Sequence, residues 1–228
     1  MPLAGQAMVA ASAVFSMVLG NGCFWGRQHD YTELEMGAWG RTAAQVTSVG
    51  GYFGGAPPKG GGGSRACYYN RKNESVYTHL GDAEVVSIDV PDMGAGIRDI
   101  LDVYWKSFQE IAPGVWGRED YFDAGPGYRA VLAWPGGTSN DTIYRAVRSN
   151  NPHNMTFRSG EGSDSDTLGE NMVWIMDSKS FTFHQAELCL QFRNNQTGKY
   201  PASYHALRTP LEAEQKIGPT GCPPCYVC

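Results

Sequence analysis

Hydrophobic and polar positions alternate along this chain in short blocks rather than long ones. The run 14–19 (Val-Phe-Ser-Met-Val-Leu) is apolar and short, ends in glycine, and predicts a strand. Residues 27–39 then read as helix, so a strand stops where a helix begins. Residues 44–49 predict a second strand, ending in the glycine pairs of Gly50-Gly51-Tyr52-Phe53-Gly54-Gly55, which read as a turn or site-lining loop. Residues 57–64, with four consecutive glycines, predict a flexible loop. The β-branched run 85–90 predicts a strand opened by Glu84, and 97–108 carries an apolar stripe at helical spacing. Further on, 130–134 predicts a strand, 138–147 a helix capped near Ser139 or Asn140, 159–167 a polar loop and 172–176 another strand. No internal repeat is evident.

Composition narrows the class. The 228 residues are 42% hydrophobic and 18% charged, which argues a globular chain long enough for a sizeable core. The formal net charge of -5 gives no basic footprint, so no nucleic-acid partner is expected. No apolar run of spanning length occurs, so no membrane span is expected either. Residues 1–20 are apolar but lack Lys and Arg, and their second half is the first predicted strand, so they read as structure rather than as a leader. Sequons at Asn73, Asn140, Asn154 and Asn195 would accept glycans only in a secreted protein. The expected compartment is cytoplasmic, with secreted and organellar settings open.

Six cysteines stand at 23, 67, 189, 222, 225 and 228, three of them in the last seven residues. That spread reads as working thiols rather than a disulfide framework. Cys67 reads as structural or incidental. Cys23 stands at the first strand-to-helix junction, inside Gly22-Cys23-Phe24-Trp25-Gly26. Helix N-H groups and the macrodipole favour its thiolate there, although a helix end contributes about 0.3 to 1 kcal/mol while one pKa unit is roughly 1.4. The residues alone leave two readings: a reactive thiol beside an aromatic pocket wall, or an apolar packer.

The stretch Gly-Cys-Phe-Trp-Gly resembles the active-site signature of the methionine sulfoxide reductase A family. The resemblance continues in the 50–55 glycine segment, in Gly81-Asp82-Ala83-Glu84, where Asp82 stands in the usual place of histidine, and in the spacing of Asp123, Gly125, Tyr128 and Arg129. It also covers Phe181 to Glu187, after which Cys189 and Leu190 replace the usual tyrosine and histidine. It implies an α+β two-layer sandwich, a mixed sheet with helices around a ferredoxin-like core, formed by residues 1–210 with a cysteine-rich tail over 211–228.

The resemblance further implies Cys23 as nucleophile and Glu84 as a buried acid. It makes Tyr77 and Tyr128 hydrogen-bond donors to the substrate oxygen, Asp123 an organiser of their network, and Phe24 and Trp25 holders of the S-methyl group. Cys222 is the expected resolving thiol, with Cys225 or Cys228 as a second relay. The implied activity is reduction of methionine S-sulfoxide, free or protein-bound, by a monomer that needs no metal or organic cofactor and takes thioredoxin or dithiothreitol as reductant. Two other readings stand beside it: a module that binds methionine or its sulfoxide without turnover, and a zinc-binding tail recruiting His205.

Overall fold

A computed structural model describes residues 15–55, 65–71, 75–118, 122–193 and 200–225. In chain order the elements are β1 (Phe15–Gly20), α1 (Phe24–Met36), β2 (Val49–Phe53), β3 (Ala83–Val90), α2 (Ala95–Lys106), β4 (Phe108–Ala112) and β5 (Val115–Arg118). They continue with β6 (Val131–Trp134), α3 (Asp141–Ser149), β7 (Thr156–Ser159), β8 (Met172–Asp177), β9 (His184–Gln185), α4 (Ala202–His205) and α5 (Arg208–Ala213).

Seven strands form one mixed sheet in the order β7-β8-β6-β1-β3-β2-β9, and β4 and β5 pair as a separate hairpin. β1 lies antiparallel to both β3 and β6, whereas β8 runs parallel to β6 and β7. Side chains alternate across a strand. Met17 and Leu19 of β1 therefore join Val86 and Ile88 of β3 in the main core with Phe24 and Tyr31 of α1 and Ile97, Ile100 and Tyr104 of α2. Val18, Val85, Val131 and Ala133 face the other way, into a smaller cluster with Phe53 and Met176. The architecture is a two-layer α+β arrangement, as expected, and no helix among the described residues is long and apolar enough to cross a membrane.

Several local readings are corrected. α1 starts at Phe24 rather than residue 27, which puts Cys23 at its N-cap. The second strand is Val49–Phe53, not 44–49, with a single 3-10 turn at Ala43–Gln45 capped by Thr42. The cause is Glu35, fully buried on α1. Its carboxylate accepts the backbone N-H groups of Thr47 (2.8 Å) and Ser48 (2.9 Å) and pairs with Arg41, so the donors a strand would use are already taken.

Of the glycines read as a turn, Gly50 and Gly51 are strand residues kept bare by close neighbours, and Gly54 and Gly55 form the loop after β2. A Cβ on Gly50 would lie 2.8 Å from the Phe24 ring, and one on Gly51 2.5 Å from both the His184 carbonyl oxygen and the Phe183 ring. The α3 cap is Asn140, whose side chain accepts from Ile143 N and donates to the Pro135 carbonyl. The loop at 57–64 and the sequons at Asn73 and Asn195 lie outside the described residues.

The C-terminal segment is docked along the molecule. Leu211 and Ile217 are buried with Val46, Val49, Phe192, Tyr204 and Leu207, and the Gln185 side chain holds Gly218 by two hydrogen bonds (2.7 and 3.0 Å).

Glu35→Ala removes the acceptor for two backbone donors and the partner of Arg41. Losing one side of a buried charged network costs roughly 3 to 5 kcal/mol. Urea denaturation is expected to show a loss of about that size, whereas a change under 1 kcal/mol would mean that Glu35 does not hold the 41–48 segment.

Candidate active site

The site forms where β1 ends and α1 begins. Gly22 takes φ +80°, and its N-H donates to the Tyr128 carbonyl (3.0 Å), which turns the chain from the strand into the helix. The first amide groups of a helix lack intrahelical partners, and here carboxylates take two of them. Cys23 N donates to Asp123 Oδ2 (2.9 Å) and Phe24 N to Glu84 Oε2 (3.0 Å).

Glu84 is not the solvated edge residue that its place at a strand start suggests. β3 lies between β1 and β2, and Glu84 is 1% exposed. It accepts the Tyr77 hydroxyl at Oε1 (3.0 Å) and lies in hydrogen-bonding reach of the Cys23 thiol. Burial disfavours its charged form and outweighs these donors, so its pKa is pushed up to about 8. The carboxyl is therefore largely protonated at neutral pH.

Cys23 departs from the expectation of a helix-stabilised thiolate. Among the described residues it is the one cysteine outside a disulfide, and it is half-buried. Its pKa is raised, by burial first and by the negative charge of Glu84 second, while the Trp25 N-H acts in the opposite direction. The helix start has spent its amides on carboxylates, so the resting group is a neutral thiol facing a carboxyl.

Around this pair lies a tyrosine stack, of which the sequence predicts two members. Tyr77 is layered between Tyr52 (centroids 4.6 Å apart) and Tyr68 (5.9 Å), and Tyr128 lies in hydrogen-bonding reach of Tyr77. Burial and Glu84 together raise the pKa of both Tyr77 and Tyr128, so their hydroxyls stay protonated donors. Tyr52 stands directly opposite Glu84 in the β2/β3 register and donates to Glu187 Oε2 (2.8 Å). Of the two predicted S-methyl holders, Phe24 is buried against Tyr52 and beneath Gly50, while Trp25 is partly exposed under the Arg193 guanidinium, 4.6 Å from the ring centroid.

Two buried arginines and two glutamines position these elements; the sequence singles out only Arg129, within the Asp123 to Arg129 spacing, and gives it no positioning role. Arg118 donates to the Tyr128 carbonyl and to Asp166. Arg129 donates to the carbonyls of Gly54 (2.9 Å), Gly81 (3.0 Å) and Pro126 (2.8 Å), tying three loops together. Gln28 and Gln191 bond each other (2.8 Å), and Gln191 also serves both backbone groups of Gly50. Most of their partners are distant in sequence, so no local pattern reveals the network. Asp82, the departure from the expected histidine, accepts Gly55 N (2.7 Å) and so secures the loop after β2.

The tail is where the expectation of free thiols is corrected. Cys222 is bonded to Cys67, and Cys225 to Cys189, so Cys67 takes the structural role, one of its two readings. His205 bonds the Phe192 carbonyl through Nδ1 (2.8 Å) rather than approaching a zinc ligand set with these cysteines. Cys228 lies outside the described residues.

No protein-family model and no curated protein matches the chain. Solved structures do resemble it. The methionine sulfoxide reductase A of Corynebacterium diphtheriae is 15% identical with a TM-score of 0.47, over 83% of this chain and 78% of that one. Mxr1 of Saccharomyces cerevisiae, in reduced form, is 19% identical with a TM-score of 0.48, over 84% of this chain and 91% of that one.

Proposed function

We propose that this chain reduces methionine S-sulfoxide to methionine, with Cys23 as nucleophile and Glu84 as acid. The observation that carries the reading is the pairing of the free thiol with a buried carboxyl whose pKa is raised to about 8. A sulfoxide oxygen leaves poorly unless it is protonated, and a neutral carboxylic acid beside a thiol meets that need.

In the proposed step the Cys23 sulfur bonds to the sulfoxide sulfur while Glu84 protonates the oxygen and takes back the thiol proton. Glu84 passes that proton on and the S–O bond breaks, the oxygen leaving as water. A water then adds to the Cys23 sulfur and gives a proton to Glu84, which breaks the bond to the substrate sulfur. Cys23 ends as a sulfenic acid, and the substrate leaves as thioether with the bonding electron pair. Tyr77 and Tyr128 donate to the oxygen as charge develops on it. Asp123 holds the Cys23 amide, and the aromatic faces of Phe24 and Trp25 receive the S-methyl group.

For recovery, a thiol condenses with the sulfenic acid, giving a disulfide and water. Cys222 is the proposed resolving thiol, with Cys225 or Cys228 as second relay. Because Cys222 is bonded to Cys67, it serves only after a dithiol, thioredoxin or dithiothreitol, has opened that bond by exchange. The chemistry needs no metal or organic cofactor.

The deciding assay follows both epimers of a methionine sulfoxide peptide with dithiothreitol. The wild type is expected to turn over the S epimer and Cys23→Ser to lose essentially all activity. A wild type that binds the peptide without turnover would replace the reaction with a binding role.

The pH profile tests Glu84 separately. A raised pKa means that the acid form is full well below pH 8 and is lost as pH rises through about 8, so kcat/KM should fall along that limb. Glu84→Gln should lower kcat about 10²- to 10³-fold and abolish that limb. An unchanged profile in the variant would remove Glu84 from the chemistry.

A further inference from the structure

The Cys67–Cys222 bond sits against a carboxylate that the proposed reaction does not use. Cys67 and Glu187 are buried and Cys222 is half-buried, and Cys67 Sγ, Cys222 Sγ and a Glu187 oxygen lie within 4.8 Å of one another. We propose that reducing this disulfide converts the cluster into a Zn2+ site with two thiolate ligands and one carboxylate ligand. The site needs neither Cys23 nor Glu84, and it shares Cys222 with the proposed recovery step, so zinc and the sulfenic acid compete for that thiol.

The ligand types suit the ion. Zn2+ binds thiolate at about 2.3 Å and carboxylate at about 2.1 Å, and a solvent oxygen completes a four-coordinate set. Tetrahedral edges of roughly 3.5 to 3.8 Å follow from those bond lengths. Once the S–S bond is broken the two sulfurs need only relax apart, with Glu187 already in place.

The surroundings of the carboxylate are those of a metal ligand. Glu187 Oε2 accepts the Tyr52 hydroxyl (2.8 Å) and Oε1 the Tyr68 N-H (2.8 Å). Both donors are neutral, and burial pushes the Tyr52 pKa well up, so it stays a donor. They fix the carboxylate's orientation, leaving a second lone pair on each oxygen, which is the support that ligating carboxylates commonly receive. Ser75 Oγ donates to Cys67 Sγ (3.5 Å) in the same manner.

Backbone contacts keep the two cysteines together when the bond opens. Cys67 N donates to the Ser75 carbonyl (2.7 Å) and Tyr77 N to the Cys67 carbonyl (2.9 Å). Arg65 reaches across to the Gly221 carbonyl (2.6 Å), one residue before Cys222. With a phosphine as reductant, the disulfide and one water give two thiols and a phosphine oxide, and zinc then displaces both thiol protons.

The test uses the full chain carrying Cys189→Ser and Cys225→Ser, which removes the other pair. Zinc content after phosphine reduction and desalting should be about one ion per chain, against none in the oxidised form. Co2+ in place of Zn2+ should add a thiolate charge-transfer band in the near ultraviolet. Adding Cys67→Ser or, at a half-exposed position, Cys222→Ser should abolish the band and stoichiometric zinc, and Glu187→Gln should weaken binding at least tenfold. No zinc in the reduced chain overturns the proposal, as does equal zinc in the Cys67→Ser and Cys222→Ser chains, which would place the ion on other ligands.

Discussion

The start of α1 depends on two carboxylates brought from elsewhere in the chain. Asp123 accepts the Cys23 amide and Glu84 the Phe24 amide, so a helix end that would otherwise expose unpaired donors is fastened to the loop before Tyr128 and to a central strand. This fastening aligns β1, β3 and α1 around one sulfur atom. It also reverses the usual electrostatics of a cysteine at a helix N-terminus. The Cys23 and Phe24 amides serve carboxylates, only the Trp25 N-H favours a thiolate, and burial first and nearby carboxylate charge second oppose ionisation of the thiol. The same arrangement that makes the site rigid makes it a thiol-carboxyl pair instead of an ion pair, which suits chemistry in which a proton must be delivered.

Glu84 shows how competing effects settle the state of such a group. Two donors, the Phe24 amide and the Tyr77 hydroxyl, favour its anion, and full burial disfavours it. Each unit of pKa is worth about 1.4 kcal/mol, so a rise from 4.5 to about 8 means that desolvation exceeds the stabilisation from those donors by a few kcal/mol. The tyrosines add bulk and low polarity around the carboxyl as well as donors, because Tyr52 and Tyr68 enclose Tyr77 from both sides. A single tyrosine would supply the hydrogen bond but not the exclusion of water.

Some of this was legible in the sequence. The junction at Cys23 could be read because an apolar run meets a helical pattern there, and β3, α2, β6, α3 and β8 follow local periodicity. The position of β2 could not be read. Gly50 and Gly51 are weak strand formers whose presence is explained only by the Phe24 and Phe183 rings lying over them, and the true cause of the irregular 41–48 segment is Glu35, on another element. The positioning network of Arg118, Gln28 and Gln191, and the part Arg129 plays in it, is equally invisible, since a buried polar side chain looks like a surface one until its distant partners are known. Cysteine pairing fails for the same reason. Cys67 and Cys222 are 155 residues apart and Cys189 and Cys225 are 36 apart, and spacing carries no information about either pair.

The departures from the resembled pattern become intelligible once these long-range contacts are known. Asp82 has a short side chain whose carboxyl accepts the Gly55 amide, and burial raises its pKa against the opposing effects of that amide, His184 and Arg129, so at this position it closes a loop. Cys189 is consumed by its bond to Cys225, and Leu190 beside it is buried in the main core, so that stretch anchors the C-terminal segment by a covalent bond and apolar packing. All three residues tie chain segments together, Asp82 by a hydrogen bond, Cys189 by a disulfide and Leu190 by packing. The thiol, the carboxyl and the tyrosine stack retain their own contacts independently of them, because Glu84 is held by Phe24 and Tyr77 and not by Asp82. The proposed nucleophile and acid thus rest on the β1, α1 and β3 junction, while the tail enters the proposed cycle only through Cys222 in recovery.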